Sequence, residues 1–419
     1  MFRPGEARSS ARRVLCALGL ALCVSAVPVL ASGPRLSAPR QKNLAENTHF
    51  GTYYVPKIFA SGRNLFAMWR SPGQSGAVRS FAVSRDGGKT FSEPKTVRPP
   101  LVTQLLDVEA DGTGSIYFVG LTPLATQVAI VRTDEKLKTF NSGLILESER
   151  NVVEADLKTA SDGRLFLAFQ TAFSINIRAG VFTTAQQTLW AVSADHGESF
   201  STFVVSNSRP GFDSDYAPRL VAGPGGEMWL LTLRDATRTR YDAGESYNGG
   251  RLLVRRIDGD PTEPIDLSRT AELTGQPTQI EGFIAADGSL CVAWAEQALV
   301  DGAPIQRVYL TRNIIGGPPV VPVDPLVTTG IPHDFHIHRT DAGQVVILVH
   351  GAGYDSDEPE PNLIGLASID DAISFGPIAK ITGYPPLTSV DSASDGKRVY
   401  GLWTDTRLVR FSAFVPRDQ

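Results

Sequence analysis

The chain is predicted to be all-β and to fold as a single β-propeller, a closed ring of four-stranded antiparallel blades. Seven blades is the leading count and six the alternative. Three observations predict this. First, a Gly or Asp-Gly turn recurs seven times, at Ser61-Gly62-Arg63-Asn64, Asp111-Gly112, Asp162-Gly163, Pro224-Gly225-Gly226, Asp287-Gly288, Asp341-Ala342-Gly343 and Asp395-Gly396. An apolar run of strand length follows each turn, over 65–69, 116–119, 165–169, 228–233, 290–294, 345–349 and 399–403. The turns are spaced by about 50 to about 63 residues, which suits a four-stranded blade with variable loops. Second, Trp69, Trp229, Trp294 and Trp403, four of the five tryptophans, fall in these runs, as expected of a large side chain repeated in the packing between blades. Third, no long helical periodicity follows the first thirty or so residues, and 39 Gly and 28 Pro give a turn-rich globular composition.

At the N-terminus, Arg12-Arg13 precede an apolar run over 14–30, and Val29-Leu30-Ala31 offers small or apolar residues at the −3 and −1 positions. This reads as a secretory signal peptide, residues 1–31, cleaved after Ala31, so the protein is expected to be secreted or periplasmic. The alternative is a retained anchor, but a Pro-containing run of about 17 residues is short for a membrane span. No span is expected after cleavage. Arg12-Arg13-Val14-Leu15 also fits a twin-arginine signal loosely, and neither Cys16 nor Cys23 follows the small residue that lipidation needs. With both cysteines in the leader, Cys291 is alone in the mature chain. It is expected to be a buried small hydrophobe, and no intrachain disulfide can form. The formal charge of −4 includes a leader carrying +3, which leaves −7 for the mature chain. That acidic balance argues against nucleic acid as a partner.

Residues 32–41 read as a Pro- and Ser-containing linker, and 42–419 as the propeller. The last repeat has room for only three strands, over 388–392, 399–404 and 408–415, while residues 42–48 have no first-strand partner of their own. The N-terminal strand is therefore expected to complete the last blade and close the ring, which removes the exposed strand edges an open array would leave.

One loop type recurs within the repeat. Ser84-Arg85-Asp86-Gly87-Gly88-Lys89-Thr90-Phe91 has the form Ser-x-Asp-x-Gly-x-Thr-Phe between two strand-like runs. Asp can accept backbone N–H groups, Gly tolerates positive φ, the Ser84 and Thr90 hydroxyls can bond locally, and Phe91 supplies something to bury. Ser193-Ala194-Asp195-His196-Gly197-Glu198-Ser199-Phe200 repeats the pattern with Ser199 for Thr. Ser368-Ile369-Asp370-Asp371-Ala372-Ile373-Ser374-Phe375 repeats it without the Gly, and Thr133 to Phe140 has Glu135 and Leu137 where Asp and Gly would stand. These segments resemble the Asp box of sialidase-like, or BNR-repeat, β-propellers. In that family the box is a fold-stabilising turn at the blade periphery and carries no catalysis. Sialidases have six blades, so a count of seven departs from them.

The candidate chemistry lies on first strands and long loops. Pro332-His333-Asp334-Phe335-His336-Ile337-His338 places Asp334, His336 and His338 on one strand face, with His333 at its start. Two imidazoles and a carboxylate suit a divalent metal such as Zn or Cu, and the plainer reading is a polar strand lining a wet channel. The other first strands carry Asp107, Glu109, Glu154, Asp156, Asp215, Glu281 and Asp391, with Lys57, Lys158 and Arg219. These could tune a channel mouth for a cation or polyhydroxyl ligand, or cap strand backbones and pair across blades. The long loop over 234–251 concentrates Arg238, Arg240, Tyr241, Glu245 and Tyr247, a set suited to a carboxylated or stacked sugar. An acidic loop over 351–361 holds Tyr354, Asp355, Asp357, Glu358 and Glu360, potential Ca ligands without the order of a dedicated calcium loop.

The resemblance implies a direct test for sialidase activity. That family grips the substrate carboxylate with three arginines and uses a Tyr–Glu pair, an acid/base Asp and an Arg-Ile-Pro motif in the first blade. Here the corresponding stretch is Val55-Pro56-Lys57-Ile58-Phe59, and residues 70–79, where the Asp should be, hold no acidic residue. Lys57 cannot hold a carboxylate bidentately as Arg does. The expectation is a ligand-binding propeller without true sialidase activity, its partner a glycan or an extracellular or periplasmic protein. The alternatives are a glycoside hydrolase or lyase using channel-mouth carboxylates, and a metal-binding propeller centred on the histidine strand.

Overall fold

The computed structural model describes residues 34–36, 41–46, 54–141, 143–178, 181–204, 214–235, 238–240, 245–247, 250–259, 262–267, 276–300, 303–313, 325–330, 332–352, 361–382, 387–405 and 407–417. These residues form seven four-stranded antiparallel sheets. Residues 1–31, read in the sequence as a signal peptide, lie outside the described set with Tyr241 and residues 353–360 of the acidic loop, as do the side chains of Arg238, Arg240, Glu245, Tyr247 and His333. Among the described residues there is no α-helix, and no helix is long and apolar enough to cross a membrane.

The innermost strands of blades 1 to 7 are Tyr54–Ser61, Gln104–Ala110, Asn151–Thr159, Ser214–Ala222, Gln276–Ile284, Pro332–Arg339 and Leu387–Ser394. Each packs against the next, and the seventh packs against the first, so the array is a closed seven-bladed propeller. The Gly of every predicted turn between first and second strands (Gly62, Gly112, Gly163, Gly226, Gly288, Gly343 and Gly396) has positive φ, a conformation a Cβ would oppose. This backbone requirement is why the turn recurs in the sequence.

Ring closure follows the expected route. Lys42–Glu46 is the outer strand of blade 7, paired with Leu408–Phe414. Part of the stretch read as a linker is also docked: Arg35–Leu36 pairs with Pro416–Arg417, and Leu36 is buried against blade 6 beside Gly365. An apolar docking segment thus adds a second tie between the two chain ends.

The core is divided into seven hydrophobic clusters, one at each blade interface. Phe59, Phe66 and Phe118, for example, fill the wedge between blades 1 and 2, and Val346, Val390 and Trp403 the wedge between 6 and 7. Trp69, Trp229, Trp294 and Trp403 all lie in these wedges and are at most 3 % exposed. Burial at about 25 cal/mol per Å² of apolar surface makes the wedges the main source of cohesion. Cys291 is buried and free, and burial pushes its thiol up to about 12.

The three Ser-x-Asp loops join third to fourth strands and fold alike. Ser84 Oγ donates to Asp86 at 2.8 Å and accepts from Gly88 N at 2.8 Å, while Asp86 accepts from Thr90 N and Thr90 Oγ1 at 2.8 and 2.6 Å. Ser193, Asp195, Gly197 and Ser199 repeat these bonds. Hydrogen bonds from Thr90 and Ser199 hold the Asp86 and Asp195 carboxyls well below the usual carboxylate range. In the third loop, Ser368, Asp370 and Ser374 keep the pattern, and Ala372 stands in the glycine position with φ 66°, its N–H bonded to Ser368 Oγ at 3.0 Å. The side-chain bonds thus impose the turn even on an alanine. Each loop packs on the preceding blade: Phe91 against Phe411, Gly197 against Tyr117, and Asp371 onto Ala286 N at 2.6 Å. In the degenerate loop Glu135 serves the same purpose differently, accepting from Ser61 and Asn64 of blade 1 at 2.6 Å each.

Candidate functional site

The first strands present one ring of polar side chains to the central channel. Lys57, Asp107, Asp156, Arg219, Glu281, His336 and Asp391 pair with Met68, Val119, Ala168, Leu231, Ala293, Leu348 and Leu402 respectively. Each partner is the fourth residue of the second-strand run that follows a turn, so the seven side chains share one level. A register shift interrupts every first strand on the mouth side of this level, or just at it. In blade 4 the shift places Ala217 at φ 50° immediately before Pro218 and Arg219. A left-handed alanine costs roughly 1 kcal/mol, and Ala217 N is held by Gln170 Oε1 at 2.9 Å.

Inner strands are sheet edges, so their channel-facing N–H groups need acceptors. Carboxylates from the neighbouring blade supply them. Asp391 of blade 7 accepts from Ile58 N at 2.7 Å, Asp107 of blade 2 from Leu157 N at 2.9 Å, and Asp156 of blade 3 from Leu220 N at 2.6 Å. Blade 5 uses an amide: Gln279 bonds both Phe335 N, at 3.0 Å, and Phe335 O, at 2.6 Å. Cations close the remaining junctions. Lys57 lies 3.4 Å from Asp107, and Arg219 bridges Glu154 at 2.5 Å and Glu281 at 3.4 Å, while Lys158 pairs with Glu109 at 3.2 Å.

The charges shift one another accordingly. Burial opposes the charge on Lys57, Lys158 and Arg219, yet surrounding carboxylates hold all three above their ordinary values: Asp391 and Asp107 for Lys57, Glu109 and Asp156 for Lys158, Glu154 and Glu281 for Arg219. Burial pushes the Asp156 carboxyl up to about 7 against the pull of Lys158 and Arg219, and it raises Glu109 as well. The carboxylates read in the sequence thus cap strands and pair across blades. Asp215 differs from the rest: it is fully buried and holds Arg234 of its own blade through two bonds of 2.5 and 2.9 Å.

The histidine strand joins the same system. His336 Nε2 lies 3.3 Å from Val390 O and His338 Nε2 lies 2.8 Å from Ser392 Oγ, tying blade 6 to blade 7. Burial, with His336 and Lys158 nearby, lowers His338 to about 3, so its imidazole is neutral. Both imidazoles have one ring nitrogen committed to a neighbouring blade. Among the described residues, no group of three His, Cys, Asp or Glu side chains is arranged to hold a metal ion.

The mouth of the channel is walled on one side. First strands begin, and second-to-third hairpins emerge, on one face of the ring. In blade 3 that hairpin, Leu165–Arg178 with Val181–Ser193, runs beyond the point where Asn151 opens the first strand opposite Ala172. In blade 5, Leu290–Val300 with Ala303–Asn313 likewise passes Gln276, which pairs with Gln297. Between them blade 4 carries an added ribbon, Arg238–Arg240 paired with Glu245–Tyr247 in the register Arg238↔Tyr247 and Arg240↔Glu245. The long loop expected over 234–251 is therefore partly a β-ribbon, while Arg219 sits in the channel below the same blade. The Ser-x-Asp loops lie on the opposite face.

No known family profile matches the chain, and no curated protein matches it in sequence. Solved structures do match in shape. The polysaccharide lyase Uly1 aligns with a TM-score of 0.54 and 9% identity, over 86% of this chain and 89% of that one. A Hadza microbial sialidase aligns at 0.38 and 11%, over 91% and 92%. The Penicillium chrysogenum α-L-arabinanase, solved with arabinobiose, aligns at 0.46 and 12%, over 91% and 98%. At these identities the likeness is one of fold.

Proposed function

We propose that this is a secreted, sialidase-like propeller that binds a glycan at its channel mouth and has no true sialidase activity. The observation that carries the reading is the wall of three adjacent elongated hairpins, from blades 3, 4 and 5, standing beside a mouth lined with carboxylates and cations. A polar channel mouth beside extended hairpins suits a polyhydroxyl ligand. Against sialidase chemistry stand Lys57 at the place of the Arg-Ile-Pro arginine and the absence of any acid in residues 70–79. The ring's one arginine, Arg219, is already engaged by two carboxylates.

A second reading, a glycoside hydrolase or lyase, is favoured by Asp156. A channel carboxyl raised to about 7 by burial is in the range where general acid–base work is done. The two readings separate in one experiment. The mature chain is screened on a glycan array and in parallel for turnover of sialosides, arabinosides and uronic-acid polysaccharides. Retention without turnover supports the binding protein. Turnover lost in Asp156→Asn supports the enzyme.

A further inference from the structure

At the rim of the mouth a guanidinium lies on an aromatic ring with one edge open. Arg150 immediately precedes Asn151, where the first strand of blade 3 begins on the mouth face. Its Cζ stands 3.3 Å from the ring centre of Phe173, in the elongated hairpin of the same blade. Its Nη1 donates to Gln187 Oε1 at 3.2 Å, on the returning strand of that hairpin. The ring fixes the position of the guanidinium, and the bond to a neutral amide fixes its rotation without neutralising it. Among the described residues nothing accepts from Nε or Nη2, and both atoms reach solvent. Arg150, Phe173 and Gln187 are each half-buried. Of the nearby acids, Glu147 accepts from Gln127 at 3.2 Å, Glu154 is held by Arg219, and Glu149 is exposed. By contrast Arg164, which also lies over a phenylalanine, is turned into Asp162 at 2.7 Å.

The segment presenting Arg150 is braced. Arg150 N donates to Ser148 Oγ at 3.2 Å, Ser148 N to Thr126 O at 2.8 Å and Val152 N to Ala125 O at 2.9 Å. The connection into blade 3 is thereby fastened to the mouth hairpin of blade 2. In the same corner Leu124 is 58 % and Val153 44 % exposed. The register shift between Val152 and Glu154 leaves Val153 out of the ladder. Apolar surface beside a few fixed polar groups is the usual make-up of a small-ligand site.

We infer that Arg150, held by Phe173 and Gln187, is a subsite for the carboxylate of a uronic-acid unit at the mouth rim between blades 2 and 3. The carboxylate takes the open Nε and Nη2 edge through two parallel bonds. Leu124 and Val153 offer apolar surface to the C–H face of a sugar bound in that corner. This rests on the glycan-binding reading and narrows it to acidic glycans.

The test uses the chain from Ser32 onward at fixed ionic strength, with trigalacturonate, neutral maltotriose and inorganic sulfate as probes in calorimetry. Saturable trigalacturonate binding, weakened about tenfold or more in Arg150→Gln, supports the subsite. Arg150→Lys keeps the charge without the fork and should lose severalfold. Phe173→Leu removes the aromatic platform and should also weaken trigalacturonate severalfold, while Phe173→Tyr keeps the platform and the affinity. Thermal melting establishes that each variant is folded, and if Phe173→Leu is not, the two Arg150 variants and Phe173→Tyr decide. Trigalacturonate bound equally by the unsubstituted chain and Arg150→Gln, or maltotriose bound as tightly as trigalacturonate, overturns the carboxylate subsite and leaves glycan binding standing. Sulfate bound through Arg150 with no sugar bound marks an ion site only and overturns the uronic-acid assignment. If no probe binds, the subsite falls, and the array screen then decides whether the glycan reading falls with it.

Discussion

Replacing Asp107 by Ala should unfasten three blades at once. Asp107 belongs to blade 2, its Oδ2 accepts from Leu157 N of blade 3 at 2.9 Å, and its Oδ1 faces Lys57 Nζ of blade 1 at 3.4 Å. Leu157 is fully buried, so truncation leaves its N–H without an acceptor, at a cost of about 1–3 kcal/mol. Lys57 is a third exposed and keeps Asp391 nearby, so the lost ion pair adds about 0–1 kcal/mol. The expected loss is about 1–4 kcal/mol. Asp107→Asn retains an oxygen for Leu157 N and should cost about 1 kcal/mol by the same reasoning. Urea unfolding of the chain from Ser32 onward, followed by tryptophan fluorescence, measures both. A loss below about 0.5 kcal/mol for Ala, within the range of ordinary surface substitutions, would refute the claim that inter-blade capping holds the ring. So would an Asn variant as unstable as the Ala variant.

Two further outcomes are expected. Ala372→Gly removes a left-handed alanine at φ 66° and should stabilise the protein by about 0.5–1 kcal/mol in the same assay; a neutral or destabilising result would mean that the loop bears no strain there. Asp156, raised from 3.8 to about 7 in the fold, holds a proton that the unfolded chain releases, so its contribution to stability is present at low pH and is lost as pH rises between about 4 and 7. Asp156→Asn should flatten the thermal stability profile across that window by up to about 1.4 kcal/mol per pH unit, and an unchanged slope would contradict the assignment.

The fold was legible because its requirements are local. Gly62, Gly112 and their five counterparts are demanded by a positive φ at one position of one turn, so they recur at blade spacing. The tryptophans recur because each wedge between blades needs volume. The strand Lys42–Glu46 was found by counting, since a three-stranded final repeat needs a fourth. The site was legible only by residue type. Alternation put Asp107, Asp156 and Glu281 on a channel face, but their partners Leu157 N, Leu220 N and Arg219 stand in other blades, roughly one repeat away in sequence. Counting back from each turn to the residue opposite the fourth position of the second strand would have identified the whole ring. Gln279 went unread because an amide can take a carboxylate's place at an edge.

The most direct test of the account is equilibrium binding of acidic and neutral oligosaccharides to the purified chain from Ser32 onward, with products analysed after prolonged incubation. The account predicts saturable binding of a glycan with no release of sialic acid and no cleavage of the bound chain. Liberation of sialic acid from a sialoside, or the absence of binding to every glycan offered, would contradict it.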